Sequence, residues 1–322
     1  MRVLVTGGAG YLGSTLVPAL LDSGKQVRVL DALLHGGRSL LGVWAHPSFE
    51  FVKGDVRDAD AVREALDGVD AVVHLAAIVG DPACARQPDL ARAVNRDASL
   101  ALLDAAERAG ASRFIFASTC SNYGKMKDPN AFVDETAELS PVSLYAETKV
   151  DVEGQVLSKE RAGAMCRTAL RFATIFGVSP RMRFDLTVNE FTLKMLVEGE
   201  LAVFGEQFWR PYVHVRDAAR GIQAVLDADV ARVDRTVFNV GSTSQNHTKK
   251  QLVEMIARVA PDAIVRYVHR DEDPRDYRVS FDRIEKTLGY KITRDVAQGI
   301  VEVAGLVRSQ VLEDFDAPAY KN

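Results

Sequence analysis

Tyr145 and Lys149 stand four residues apart in the stretch YAETK. On a helix, that spacing puts both side chains on one face. A tyrosine is a poor base at neutral pH because its reference pKa is about 10. A neighbouring ammonium favours the phenolate, which can then take a proton from a substrate hydroxyl as that carbon is oxidised. Taken alone, Tyr-x-x-x-Lys is a common surface spacing. Upstream, RFIFAS runs into TCSNYG at 119–124. This places Thr119 at the end of a strand, where its hydroxyl can hold a substrate oxygen and pass a proton to Tyr145. Its bland reading is a strand-terminating turn residue. Cys120 follows directly. A thiolate there is a candidate base at an acidified carbon, and a buried thiol is a small packing residue; both readings stand at this point.

A second constellation lies at the N-terminus. TGGAGYLG at 6–13 follows an apolar run and opens a helical pattern. Gly7 allows the tight turn, Gly10 lets the backbone approach a pyrophosphate, and Gly13 lets the helix pack close to the sheet. Tyr11 and Leu12 complete the turn, and the helix N-terminus offers free N–H groups to an anion. The spacing is G-x-x-G-x-x-G, not the commoner G-x-G-x-x-G. Asp31 ends VRVLD 18 residues after Gly13. An acidic group there hydrogen-bonds the adenosine ribose and repels a 2′-phosphate, so NAD is expected and not NADP. Asp55 and Val56 are expected to line the adenine. HLAA at 74–77 places Leu75, Ala76 and Ala77 beside the cofactor, with His74 read as a packed strand-end residue.

These residues need a scaffold. Strand patterns cover Arg2–Val5, Gln26–Leu30, Phe49–Lys53, Ala71–Leu75 and Arg113–Ala117, with amphipathic stretches at Tyr11–Ser23, Asp58–Leu66 and Leu90–Ala109. Repeated β-α-β units call for a parallel sheet covered on both faces. The expected fold class is α/β: a doubly wound parallel Rossmann sheet with a smaller C-terminal substrate-binding lobe. The expected division is 1–176 for NAD, with 213–241 returning to it, and 177–322 for substrate. After the Arg-rich loop VSPRMRF, a helix is expected from Asp185 to Glu198, a strand and helix at Tyr212–Asp227, a strand at Val237–Val240 and a helix at Lys249–Val259. The tail from Glu313 reads as irregular.

Among 322 residues there are 40 Lys and Arg against 44 Asp and Glu, a formal net charge of -4. That balance argues against a broad grip on nucleic acid. Three cysteines, Cys84, Cys120 and Cys166, fit neither a disulfide framework nor a metal-ligand spacing, so no metal is expected. No apolar run is long enough for a membrane span, and MRVLVTGG enters a strand at once. The expected location is the cytoplasm.

With TGGAGYLG, Asp31, HLAA, the AST…YG segment, YAETK, LRFATIFG, VFG…WRPYVHVRDAA and DPRDYRVSFDRIEKTLGY, the chain resembles the extended short-chain dehydrogenases/reductases. Within them it is similar to the nucleotide-sugar epimerases and dehydratases, over nearly its whole length. The resemblance implies Thr119, Tyr145 and Lys149 as the catalytic set, a nucleoside-diphosphate sugar held by the C-terminal lobe, and a homodimer built on two helices per subunit. It points to Arg210 and Arg278, with Arg275 behind them, as diphosphate ligands.

Two positions depart from the pattern. Thr174 stands where many relatives carry a diphosphate-contacting asparagine. Cys120 and Ser121 stand where the 4,6-dehydratases place an Asp and a Glu, and related decarboxylases also use a Glu there. Without those carboxylates a 4-epimerase, which oxidises C4 and re-reduces it from the other face, is the leading reading. The alternative is a dehydratase, C3/C5-epimerase or 4-keto reductase using Cys120. The outsider is a non-catalytic NAD-sensing regulator.

Overall fold

A computed structural model describes residues 1–126, 128, 131–161, 163–273 and 275–322. The chain runs β1 (Arg2–Thr6), α1 (Gly13–Asp22), β2 (Gln26–Asp31), β3 (Phe49–Lys53), α2 (Ala59–Leu66) and β4 (Ala71–His74). It continues through α3 (Asp81–Arg86), α4 (Pro88–Arg92), α5 (Ser99–Arg108), β5 (Arg113–Thr119), α6 (Leu144–Leu157), β6 (Cys166–Phe172) and β7 (Thr174–Phe176). Then come α7 (Thr187–Val197), β8 (Glu200–Phe204), β9 (Trp209–His214), α8 (Val215–Asp227), α9 (Val230–Val233) and β10 (Thr236–Val240). The last elements are β11 (Asn246–Thr248), α10 (Lys249–Ile256), β12 (Ile264–Val268), α11 (Asp282–Leu288) and α12 (Val296–Ser309).

The central sheet has seven strands in the order β10-β6-β5-β4-β1-β2-β3. All its pairings are parallel. Val3, Val5, Val29 and Val73 are buried against the helices of one face, and Leu4, Leu30, Val72 and Phe114 against those of the other. Both faces of one strand are therefore apolar, as a doubly wound sheet requires. The order reverses between β1 and β4, which opens a crevice at the carboxyl ends of these strands. Late in the chain, α8 packs on α1 and β10 adds an edge strand to the sheet through β6.

The smaller lobe has its own core of Phe176, Val188, Leu201, Tyr212, Leu252 and Ile300. It holds a three-stranded sheet, β11-β9-β7, and a two-stranded parallel sheet, β12-β8. The β12 pairing and the long helix α12 are not apparent from the strand and helix patterns of this region. The expected helix Leu90–Ala109 is interrupted by a π-helical stretch at Ala93–Ala98. There Asn95 turns inward, accepting from the Ile78 N–H at 2.7 Å and donating to its carbonyl at 2.9 Å. The tail forms one 3₁₀ turn, Pro318–Tyr320, against Phe184.

Candidate active site

The glycine turn leaves β1 and enters α1. Gly7 has φ 75°, where a side chain is strained, and a Cβ there would come within 2.7 Å of the Ala76 backbone nitrogen. A Cβ at Gly13 would meet the Gly7 carbonyl oxygen at 2.3 Å, so strand and helix approach only because both are glycine. At Gly10 the same construction meets only that carbonyl, at 3.2 Å, and the space beyond is open. The first turn of α1 carries no acid to repel an anion. This arrangement fits the diphosphate of a dinucleotide.

Asp31 closes the turn from the next strand. Its carboxylate accepts from the Ala9 N–H at 2.9 Å and the Leu33 N–H at 2.8 Å. Burial raises its pKa while these two bonds oppose the rise. Leu33 holds an unusual positive φ of 57° two residues after it. Tyr11 donates to the Gly177 carbonyl at 2.6 Å, and Ser179 donates to the Tyr11 carbonyl at 2.6 Å. The loop after β7 is thus bonded to the glycine turn. Asp55 is engaged by Arg57 at 2.7 and 3.0 Å, which lowers its pKa. Val56 is buried in the core under α2. Leu75 and Ala76 continue β4 along β1, with the Leu75 N–H on the Thr6 carbonyl at 3.1 Å and the Ala76 N–H on Thr6 Oγ1 at 3.4 Å. Ala77 follows, half-buried. His74 packs between Thr6 Oγ1 at 2.7 Å and Ser99 Oγ at 2.8 Å. Burial pushes its pKa down to about 3, so it is a neutral core residue.

Ser143 caps α6, accepting from the Ala146 N–H at 3.3 Å, and Tyr145 lies in the first turn that follows. Lys149, one turn on, is buried and donates to the Ala117 carbonyl at 2.9 Å. Its ammonium stands 4.7 Å from the Phe116 ring centroid and 5.8 Å from that of Tyr145. Burial lowers the Lys149 pKa to about 8. Tyr145 departs from expectation, because its pKa is raised, not lowered. Burial dominates, nearby Cys84 and Asp81 add to it, and Arg183 opposes. The free chain therefore holds a neutral phenol. Thr119 ends β5 and its Oγ1 accepts from the Ser121 N–H at 3.1 Å, capping the 3₁₀ turn Cys120–Tyr123.

Cys120 does not suit the role of a base. It is 1% exposed, and its thiol donates to the Arg171 carbonyl at 3.3 Å. Burial drives its pKa strongly upward. The residue after Thr119 points into the packed side of the sheet, so the thiolate is disfavoured and walled off. Ser121 accepts from Tyr277 Oη at 3.4 Å.

On the lobe, Arg210 Nη2 meets Asp273 at 2.8 Å and its guanidinium lies 5.5 Å from the Tyr277 ring centroid. Lys249 stands 3.7 Å from the same carboxylate oxygen, and the Arg275 N–H donates to the other at 2.9 Å. Burial lowers the Lys249 pKa, Asp273 opposes that fall, and Arg210 and Arg275 add to it. Three cations thus share one carboxylate in a local ion-pair network. The Arg278 guanidinium lies 4.9 Å from the Trp209 ring centroid, beside Arg210, and 4.8 Å from that of Phe132. Thr174 sits opposite Tyr212 in the β7–β9 pair. The Arg275 side chain spans from the cluster, with Nε 3.9 Å from Asp273 Oδ1, to Asp81, with Nη1 at 2.7 Å.

Asp81, Ser143 and Lys249 escape a reading of the sequence. Asp81 sits in GDP, which reads as a turn. Lys249 follows Thr248 in TKKQ, a capping box that marks a helix start but not a ligand. Among the described residues no group of His, Cys, Asp and Glu is suited to a metal, and no helix is long and apolar enough to cross a membrane.

Sheet, glycine turn and strand-end acid together define a Rossmann-type dinucleotide-binding protein. Residues 3–241 match the NAD dependent epimerase/dehydratase family, and the chain belongs to it. It is 32% identical over 316 residues to a dTDP-glucose 4,6-dehydratase of Streptomyces niveus, covering 94% of this chain and 91% of that one. It is 28% identical to a UDP-glucose 4-epimerase of Corynebacterium glutamicum, covering 94% of each. The structure of the Thermus thermophilus UDP-glucose 4-epimerase complex with NAD superposes with a TM-score of 0.84 at 27% identity, covering 97% of this chain and 100% of that one.

Proposed function

We propose that this chain is a nucleotide-sugar 4-epimerase. The observation that carries the reading is the position after Thr119. Where a dehydratase needs a carboxylate pair, Cys120 is buried against the Arg171 carbonyl and Ser121 is a neutral hydroxyl. A 4-epimerase needs neither acid. NAD, held at the glycine turn with Asp31 at the adenosine ribose, supplies the acceptor and donor of hydride for the sugar carbon.

The chain's own residues do the rest. Thr119 holds the C4 oxygen and Tyr145 takes its proton; Lys149, anchored on Ala117, keeps positive charge beneath the phenol once it ionises. Its pKa of about 8 leaves the ammonium mostly charged at neutral pH. Arg210, Lys249 and Arg278 face the substrate diphosphate, with Thr174 beside them. The diphosphate anchors the molecule while the 4-keto ring turns its other face to the site. The proposed homodimer pairs through two helices per subunit, one of them α6.

The test is incubation with UDP-, GDP-, CDP- and dTDP-sugars, followed by mass and NMR analysis of products. A 4-epimer of unchanged mass is expected. A product lighter by one water assigns a dehydratase. Tyr145→Phe should keep the fold and lose about 10²–10⁴-fold in rate. Near-normal turnover would make the YAETK match accidental.

A further inference from the structure

Asp81 joins two sides of the cleft. It begins α3, just beyond the carboxyl end of β4. Oδ1 accepts from Ser143 Oγ at 2.7 Å, and Ser143 is the cap of the helix that carries Tyr145. Oδ2 pairs at 2.7 Å with Nη1 of Arg275, which belongs to the lobe. The Arg275 N–H is held by Asp273, and Asp273 holds Arg210. One connected line therefore runs from the proposed diphosphate site to the first turn of the catalytic helix.

The links differ in strength. Arg210 and Asp273 have side chains only 11% and 12% exposed, whereas Arg275 and Asp81 are 42% and 29% exposed. A half-exposed ion pair is worth little and parts cheaply, while the buried link stays made. The crossing between Arg275 and Asp81 is thus where the line opens. It lies beside Ser143, which donates to Asp81 at 2.7 Å two residues before Tyr145.

We propose that Asp81 and Arg275 form a latch that closes over the bound sugar and keeps the 4-keto form from escaping while it turns. This rests on the nucleotide-sugar reading above. The diphosphate holds one end of the intermediate, and the pair adds a second hold at the sugar end while the ring turns. A weak pair suits the task, since it has to open once for entry and once for release.

The test uses the full chain loaded with NAD. UDP-glucose and dTDP-glucose are bound separately and their release is followed by stopped flow. Asp81→Asn and Arg275→Gln should each speed release about two- to fivefold. The double variant should be no faster than the faster single one, because both remove the same contact. Additive effects, or release unchanged by Asp81→Asn, would overturn the latch; release sped by Arg275→Gln alone would make Arg275 a direct ligand. Hydrogen exchange of the ligand-free chain gives an answer independent of substrate. Asp81→Asn should deprotect the amides of Arg275 and Ala146, which Asp273 and Ser143 hold on the two sides of the pair, and unchanged protection counts against the latch. If neither sugar binds, the exchange result still decides whether the pair joins the two sides.

Discussion

Lys149 donates from Nζ to the carbonyl of Ala117 at 2.9 Å, which ties the middle of α6 to the strand that ends in Thr119. One turn further, Glu153 accepts from Ser118 Oγ at 2.6 Å. Residues 145, 149 and 153 recur every four positions on one helix face. Two of them grip the two residues that precede Thr119. The distance between a strand-end hydroxyl and a helix-borne phenol is thereby set by bonds buried beneath both.

Lys149 gives a pH signature. Burial takes its pKa from the ordinary 10.5 to about 8. Between these values the unfolded chain carries a proton that the folded chain has shed. The lysine's contribution to stability therefore rises with pH across that window. The buried thiols of Cys84, Cys120 and Cys166, whose pKa values burial raises, act oppositely from near their unfolded value of about 8.5 upward, and the buried tyrosines from about 10. The lysine's own part is a gain of about 1–2 kcal/mol between about pH 8 and 9.5, read as the difference in urea unfolding between the ligand-free chain and Lys149→Met. An unchanged slope would show that the lysine is not the titrating group.

Glu153 and Arg171 form a buried ion pair, with Arg171 Nε at 3.1 and 3.2 Å from the two carboxylate oxygens. Arg171 also reaches Tyr123 Oη at 2.8 Å. Removing one partner strands the other charge, so Glu153→Leu should cost about 3–5 kcal/mol in denaturant unfolding. Glu153→Leu combined with Arg171→Met should recover much of that loss. A double variant as unstable as the sum of the singles would mean that the pair's surroundings, not its charges, matter.

Much of the scaffold was legible because each strand is a short apolar run bounded by turn residues, and the glycine turn has a spacing with a steric cause at Gly7 and Gly13. The lobe was harder. Its β8 and β12 pair across roughly 60 residues, and β12 alternates weakly, so no local pattern announces the contact. The site residues that were missed share a reason. Asp81 and Ser143 matter through each other, 62 positions apart, and neither is unusual in its own neighbourhood. Tyr145 shows the opposite limit: its type and spacing were plain, but the direction of its pKa depends on how deeply the helix buries it.

Asp31 bears on cofactor choice. Its carboxylate bonds the glycine turn at Ala9 and faces the end of β2, where a 2′-phosphate would add a second negative charge. NAD should bind more tightly than NADP. Asp31→Ala should weaken NAD and narrow the gap, read by fluorescence titration of both cofactors. Equal affinity in the unaltered chain would remove Asp31 from this role.

Arg210 is held by Asp273 beside the Tyr277 ring, and the proposed function assigns its guanidinium to the substrate diphosphate. Arg210→Ala should weaken binding of the matching nucleoside diphosphate by about 2–3 kcal/mol and leave NAD binding nearly intact. Calorimetry with each ligand separates the two. Loss of both to the same degree would point to a general disturbance of the fold.

The fate of the substrate's hydrogens decides between reaction types. In a 4-epimerase the C4 hydrogen leaves and returns without becoming a solvent proton. Product formed in D₂O should therefore carry no carbon-bound deuterium. A base at C3 or C5 would exchange its proton with solvent, and deuterium would appear at that carbon. Cys120 is the nearest sequence candidate for such a base, but its thiol is spent on the Arg171 carbonyl and its pKa is pushed far up by burial. Cys120→Ala should thus leave the chemistry intact and lower stability by roughly 1 kcal/mol for one lost buried contact. Proton NMR of product from a single D₂O incubation, run with the unaltered chain and with Cys120→Ala, reads both points. Deuterium at C3 or C5 that disappears in the variant would restore the thiol to the mechanism and defeat the 4-epimerase reading. Deuterium that persists in the variant would place an unrecognised base near Tyr145, where Asp81 is the first carboxylate to replace.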